Sequence, residues 1–325
     1  MEGEKGPVCV TGGTGFIGSW LIMRLLDHGY SVRATARLDP ERKRDLSFLT
    51  SLPGASERLK IFNADLNDPE SFGAAIEGCT GVFHVAFPVD YETKETEEEK
   101  TKRTVDGAVG VLKTCLDSKT VKRVIYISTA AALVYNGQDL DEIDESFWTD
   151  VDYLKSLKLV VGPYAILKTL TERAVLEFSE KHELEVVTLA PSLVIGPFIC
   201  PKAPGSVQMV LDMVLDKKYG PSRMDLVHVD DVAGAFIFLF EHPEAKGRYN
   251  CSANVITAES ASELISTKYP GLKIPRKYSD DALKGFEKLA ALSSKKLIDS
   301  GFQFKYGVEE IFDGAIKCYK EKGYL

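Results

Sequence analysis

The stretch that most constrains the fold is Pro7 to Tyr30, PVCVTGGTGFIGSWLIMRLLDHGY. Val8, Cys9 and Val10 form an uninterrupted apolar run, the mark of a strand covered on both faces. Gly12, Gly15 and Gly18 follow three apart, and Ile17, Leu21, Leu25 and Leu26 then recur at helical spacing. The glycines therefore stand between a strand and a helix. A turn without Cβ atoms bends tightly and lets the backbone approach a ligand, while the helix start offers N–H groups and a partial positive charge. Together with Thr14, Phe16 and Ile17, these glycines suit the pyrophosphate of a dinucleotide. A tight turn with no ligand is the alternative, and the residues downstream decide between the two.

The second strand, Tyr30 to Ala36, ends on Arg37, with Arg42, Lys43 and Arg44 just beyond. An acidic residue at this place would accept from the adenosine 2′-hydroxyl, whereas an arginine accommodates a 2′-phosphate. Arg37 with Arg44 as a second charge thus favours NADP(H) over NAD(H), and Arg42 and Lys43 read as the solvated start of a helix. Leu59 to Leu66 is a third strand whose Asp65 and Leu66 can meet an adenine; Asp65 is alternatively a helix cap, with Asn67 and Asp68 as rivals. Gly81 to Ala86 is a fourth strand. Its tail, Val85 and Ala86, would pass the ribose and nicotinamide, and His84 within it reads as a core histidine.

A helix around Thr104 to Ser118 leads to a fifth strand, Val121 to Ile127, which ends on Ser128 and Thr129. Hydroxyls at the carboxyl end of a parallel strand point into the crevice where such sheets bind ligands. Tyr164 and Lys168 follow in PYAILKTLTERAVLEF, four apart and so on one helical face. A phenol has a reference pKa near 10, and a neighbouring ammonium together with a nicotinamide cation lowers it. Tyr164 then serves as the acid, a strand-end hydroxyl holds the substrate oxygen, and Lys168 also binds the ribose hydroxyls.

Beyond Tyr164 the chain alternates between lobes. Glu185 to Pro191 is a sixth strand, residues 195–219 form an apolar loop and helix, and Leu226 to Val232 returns to the sheet and launches a helix. Asp230 and Asp231 there read as caps and lobe ties, and His228 as structural. Helical patterns at Ser260 to Tyr269 and Val308 to Tyr324 should cover the cleft. The expected architecture is α/β: a doubly wound parallel sheet (Rossmann) with a smaller, mostly helical substrate-binding lobe. Residues 1–190 with 226–255 would form the NADP-binding lobe and 191–225 with 256–325 the other, in one compact unit.

Composition agrees. The 325 residues are 44% hydrophobic and 27% charged, enough for a sizeable core, and a net charge of -8 argues against nucleic acid as a partner. Six scattered cysteines without a CxxC pair read as reduced, buried thiols, and no metal site is expected. No run approaches the roughly 18 apolar residues of a membrane span, and no signal core precedes the first strand. A cytoplasmic protein without stable membrane insertion, monomeric or weakly dimeric, is expected.

The segments TGGTGFIGSW, ATARLDPERKR, NADL, GVFHVA, the Ser128-Thr129 strand end, YAILK, LAPSLVIGPF and LVHVDDVAGAF resemble the extended short-chain dehydrogenase/reductases, specifically the plant dihydroflavonol reductase-like branch. The likeness runs end to end. It implies Gly12, Gly15 and Gly18 at the pyrophosphate, Arg37 and Arg44 at the 2′-phosphate, Asp65 and Leu66 at adenine, and Tyr164 and Lys168 in catalysis. Pro191, Leu193 and Val194 would line the nicotinamide. Three departures stand out. Thr129 occupies the place of the family's catalytic serine, keeping the hydroxyl but adding a methyl and a stiffer χ1; Ser128 is the fallback. Val134 replaces a substrate-binding asparagine of dihydroflavonol reductases, and Val161-Gly162-Pro163 departs from the cinnamoyl-CoA reductase pattern.

Phe87, Tyr91, Tyr135 and Phe198 lie where aromatic walls would suit a flat polyphenolic ligand, plain packing being the alternative. The resemblance points to an NADPH-dependent reductase of an isoflavonoid-type aromatic ketone, with Tyr164 as proton donor. The rivals are an NADP-dependent enzyme acting on another plant metabolite, such as an alkaloid hemiacetal or a dihydroflavonol, and a non-catalytic NADP(H)-binding protein, which would need only the binding half.

Overall fold

The computed structural model describes residues 5–37, 44–88, 95–216, 223–272 and 289–325; Arg42, Lys43 and Tyr91 lie outside them. The apolar run at the start is β1 (Lys5–Thr11), followed by α1 (Phe16–Asp27) and β2 (Tyr30–Ala36). Short helices α2 (Ser47–Thr50) and α3 (Ala55–Arg58) lead into β3 (Leu59–Asn63). Next come α4 (Gly73–Ile76), β4 (Gly81–His84), α5 (Glu97–Asp117) and β5 (Arg123–Ile127). The central part holds β6 (Glu142–Ile143), α6 (Val151–Leu157), α7 (Gly162–His182), β7 (Glu185–Pro191) and β8 (Leu193–Ile195). Then follow α8 (Gly205–Asp216), β9 (Met224–His228), α9 (Val229–Glu241), β10 (Gly247–Cys251), β11 (Asn254–Ile256) and α10 (Ala258–Lys268). The C-terminal part contains β12 (Ala291–Leu292), α11 (Lys295–Asp299) and α12 (Val308–Glu321).

Seven strands form one sheet in the order β3-β2-β1-β4-β5-β7-β10, every neighbouring pair parallel. A parallel sheet must be covered on both faces. Leu21, Ile22 and Leu25 of α1 join Val232, Phe236 and Leu239 of α9 on one face, and Val111, Leu112, Val175 and Phe178 of α5 and α7 cover the other. Strand order reverses between β1 and β4, which opens the crevice at the carboxyl ends of these strands. A second core, built on Val207, Leu211, Ile265, Ile311 and Phe312, surrounds a smaller sheet in the order β11-β9-β8.

One expectation requires correction. The strand expected to rejoin the main sheet near Leu226 pairs instead with β8 and β11. Met224 and Leu226 pack into the second core while Val227 packs into the first, so strand alternation lets β9 serve both cores at their seam. The seventh strand of the large sheet is β10, GRYNC, whose alternation of Arg248 and Asn250 with Tyr249 and Cys251 is short and carries two buried polar side chains.

The seam is tied by polar contacts. Trp20 Nε1 donates to Asp230 at 2.8 Å and Tyr306 Oη donates to the same carboxylate at 3.0 Å, while Asp231 accepts from the backbone N–H groups of Lys305 and Tyr306. The carboxylates link α9 to α1 and to the segment at Lys305 and Tyr306, and the cap of α9 is His228, whose Nδ1 accepts from Asp230 N at 3.0 Å.

The glycine turn is shaped by contact distances. Gly12 adopts φ +67°, and a Cβ there would lie 2.8 Å from Ala86 Cα; at Gly18 it would lie 2.4 Å from the Gly12 carbonyl. Gly18→Ala should therefore lower stability by about 1–3 kcal/mol through forced backbone displacement. Gly73→Ala, where nothing lies within 4 Å, should be neutral or slightly stabilising. Thermal denaturation of both variants checks the contrast.

Candidate active site

The turn after β1 is held from both sides. Gly13 N donates to Thr35 O at 2.9 Å and Gly15 N to Gly12 O at 3.0 Å, and α1 begins at Phe16 with no capping side chain and no acidic residue in its first turn. Its first N–H groups and dipole thus face the crevice beside exposed Gly15 and half-buried Thr14, Phe16 and Ile17. The close approaches at Gly12 and Gly18 make room that any larger residue would fill. These residues fit the pyrophosphate of a dinucleotide.

Thr11, the last residue of β1, organises the neighbouring edge. Its Oγ1 accepts from Val85 N and Ala86 N, both at 3.0 Å, and lies 2.8 Å from His84 Nδ1. With both lone pairs engaged, the threonine proton goes to Nδ1, leaving the imidazole proton on Nε2. Burial pushes the His84 pKa down to about 3, with the Lys168 charge adding to the effect. His84 is thus a neutral core residue that fixes the tail of β4, and Val85 and Ala86 with it.

Arg37 and Arg44 stand exposed beyond the carboxyl end of β2, with Arg44 Nη1 3.5 Å from the Arg37 carbonyl. Asp65 and Leu66 are half-buried beyond β3. Asp65 Oδ1 accepts from Asn67 N at 2.9 Å, a local turn, and no side chain caps the short helical turn at Pro69. Pro191 is buried at the end of β7, Leu193 is half-buried and Val194 is 6% exposed.

The α7 helix carries Tyr164 and Lys168. Lys168 is buried, and its Nζ donates to Ile127 O at 2.9 Å and sits 4.2 Å from the centroid of the Phe87 ring. The same ring meets Tyr164 edge to face at 6.0 Å, so Phe87 touches both members of the pair. Desolvation pulls the Lys168 ammonium down to about 7, against the opposing pull of Glu172. A lysine there exchanges its proton near neutrality.

The two strand-end hydroxyls differ. Ser128 is 2% exposed, and its Oγ donates to Glu172 at 2.6 Å. Thr129 is half-buried in extended backbone, and among the described residues its Oγ1 accepts a single 3.3 Å contact, from Ala131 N. Of the aromatic residues singled out earlier, Tyr135 is 9% exposed and packs with Leu154 and Ala165, with Val134 alongside. Phe198 is 2% exposed, with its ring against Tyr319 at 5.7 Å. It fills the second core and offers no face to the cleft, since the C-terminal helix covers it.

Sequence reasoning missed Glu172, Arg248 and Trp148. Glu172 is fully buried and accepts from Ser128, Thr188 and the Arg248 guanidinium, which stacks at 3.6 Å on Trp148. The signal available was spacing: Glu172 follows Lys168 by four residues on the same helical face. Among the described residues no cluster of His, Cys, Asp or Glu could hold a metal ion, and no helix is long and apolar enough to cross a membrane.

This arrangement has known counterparts. Residues 8–252 match the family described as NAD dependent epimerase/dehydratase. The chain is 56% identical to vestitone reductase from Medicago sativa, with all of both chains covered. It is 52% identical to Protein BRI1-5 ENHANCED 1 from Arabidopsis thaliana, covering 99% of this chain and 90% of the other, and 47% identical to noscapine synthase SDR1 from Papaver somniferum, covering 100% and 95%. The alfalfa vestitone reductase crystal structure superposes with a TM-score of 0.87 at 53% identity, over 99% of this chain and 100% of that one. The glycine turn, the strand order and these full-length similarities place the chain in the NAD dependent epimerase/dehydratase family, as an oxidoreductase of the extended short-chain dehydrogenase/reductase type.

Proposed function

We propose that the protein is an NADPH-dependent reductase that converts an aromatic ketone of plant specialised metabolism into an alcohol. The observation that carries this reading is the buried Lys168 ammonium, bonded to Ile127 O and sharing the Phe87 ring with Tyr164 at the carboxyl edge of β5. A binding protein would have no need of such a pair. The full-length similarity to vestitone reductase supports a ketone of the isoflavonoid kind as substrate.

The glycine turn and the start of α1 would hold the pyrophosphate, and Arg37 with Arg44 the 2′-phosphate. Asp65 and Leu66 would meet adenine, and Val85, Ala86, Pro191, Leu193 and Val194 the ribose and nicotinamide. When bound, the reduced nicotinamide supplies a hydride to the carbonyl carbon. Thr129 Oγ1 donates to the substrate oxygen and orients it, because the Ser128 hydroxyl is committed to Glu172. Tyr164 gives its proton to that oxygen as the alcohol forms, and the Lys168 charge steadies the resulting phenolate while its remaining donors reach the ribose hydroxyls. Phe87, Val134 and Tyr135 would border the substrate, and Phe198 would act only through the core behind it.

The direct test follows NADPH and NADH consumption by absorbance against vestitone, a dihydroflavonol, cinnamoyl-CoA and other aromatic ketones. Turnover of NADPH with vestitone supports the reading; inert ketones with a retained NADPH complex would move the assignment to alcohols and NADP+.

Three variant measurements follow. Tyr164→Phe should abolish turnover and leave NADPH affinity within about twofold, since a proton donor rather than a binding group is lost. Arg37→Ala should weaken NADPH binding by roughly 10- to 100-fold, the worth of one charge-assisted contact, and leave NADH binding nearly unchanged. For the pH dependence, Lys168 is competent while protonated and its ionisation lies near 7. The kcat/KM for NADPH, which reports the free enzyme, should therefore fall as pH rises through about 7. In Lys168→Arg that fall should be absent, because guanidinium stays charged.

A further inference from the structure

We infer that Glu172 is a positioning residue that decides which of the two adjacent hydroxyls, Ser128 or Thr129, faces the substrate. This rests on the proposed role of Thr129. Glu172 is completely buried, where an ionised carboxylate is tolerated only with donors all round it. It has them: Ser128 Oγ and Thr188 Oγ1 at 2.6 Å each, and Arg248 Nε and Nη2 at 3.1 and 3.2 Å. The guanidinium is itself fixed, donating to the carbonyls of Glu145 and Phe147 and lying 3.6 Å over the Trp148 ring. One side chain of α7 thus joins β5, β7 and β10, the last through Arg248.

The functional consequence comes from the position of Ser128. Its backbone N–H donates to Leu189 O at 2.7 Å, and the preceding carbonyl, Ile127 O, holds the Lys168 ammonium. In extended backbone, successive side chains point to opposite sides. With Ser128 drawn inward onto Glu172, Thr129 at φ -164°, ψ 151° carries its side chain on the opposite side of the strand, where its Oγ1 accepts from Ala131 N at 3.3 Å. Glu172 also lies one helical turn beyond Lys168 and two beyond Tyr164. The same carboxylate therefore sets the register of the helix that carries the acid against the strand that carries the orienting hydroxyl.

The closing experiment separates positioning from mere cohesion. Removing one partner strands the other charge, so both are replaced together, E172L with R248M, a change that commonly preserves stability. We expect a melting temperature close to wild type, unchanged NADPH affinity, a kcat for the best ketone of the panel lower by about tenfold or more, and little change in KM. A kcat within about threefold of wild type in this folded variant overturns the inference. Should the double variant fail to fold, Ser128→Ala decides: a three- to tenfold loss of kcat with unchanged NADPH affinity, roughly one hydrogen bond, supports it, and full activity overturns it. Should no ketone of the panel be turned over, crystal structures decide, with a displaced Thr129 hydroxyl in E172L/R248M supporting the inference and an unmoved one refuting it. Thr129→Ser and Thr129→Ala test the underlying reading separately. If Thr129→Ala stays fully active, the assigned role of Thr129 fails whatever the Glu172 variants do.

Discussion

A parallel sheet buried on both faces has only its edges and strand ends at which to present chemistry, and this constraint governs the molecule. The backbone groups of β1, β4 and β5 are spent in the ladder, and their side chains alternate between two helical layers. Polar function is therefore pushed to the carboxyl ends, where the order reverses between β1 and β4. Thr11, His84, Ser128 and Thr129 all sit there. Thr11 bonds His84 and the tail of β4, and Ser128 bonds Glu172.

The second governing fact is charge kept out of water. Lys168, Glu172 and Arg248 form a buried group with two cations and one anion, and the anion is shared between an arginine fork and two hydroxyls. Breaking one side of such a pair costs about 3–5 kcal/mol, so the group holds its shape. Its other effect is on acidity. Desolvation brings the Lys168 ammonium down to about 7, and the Glu172 charge limits the fall. Stability and acidity thus draw on the same contacts.

Much of this was legible in the residues. The strands at Tyr30 and Glu185 appear where their β-branched and apolar runs predict, and the YAILK helix is present as α7. What escaped had a common cause. β10 forms the edge of the main sheet although two of its five residues, Arg248 and Asn250, are polar and buried beside the apolar Tyr249 and Cys251. Phe198 looked like a cleft residue from its place in a loop, yet the C-terminal helix covers it. β9 read as part of the main sheet because nothing in a short apolar run says which of two cores will take it.

The sequence by itself determined the Rossmann architecture, the turn that suits a dinucleotide, the arginines beyond the second strand and the Tyr164–Lys168 pair. These depend on periodicity and on residue types at fixed spacing, which are local. Only the tertiary structure decided that the Ser128 hydroxyl is taken up by Glu172, 44 residues away, and that this carboxylate is held in turn by Arg248, 76 residues beyond it. A buried carboxylate must gather its donors from wherever the fold brings them. No pattern along the chain records that demand.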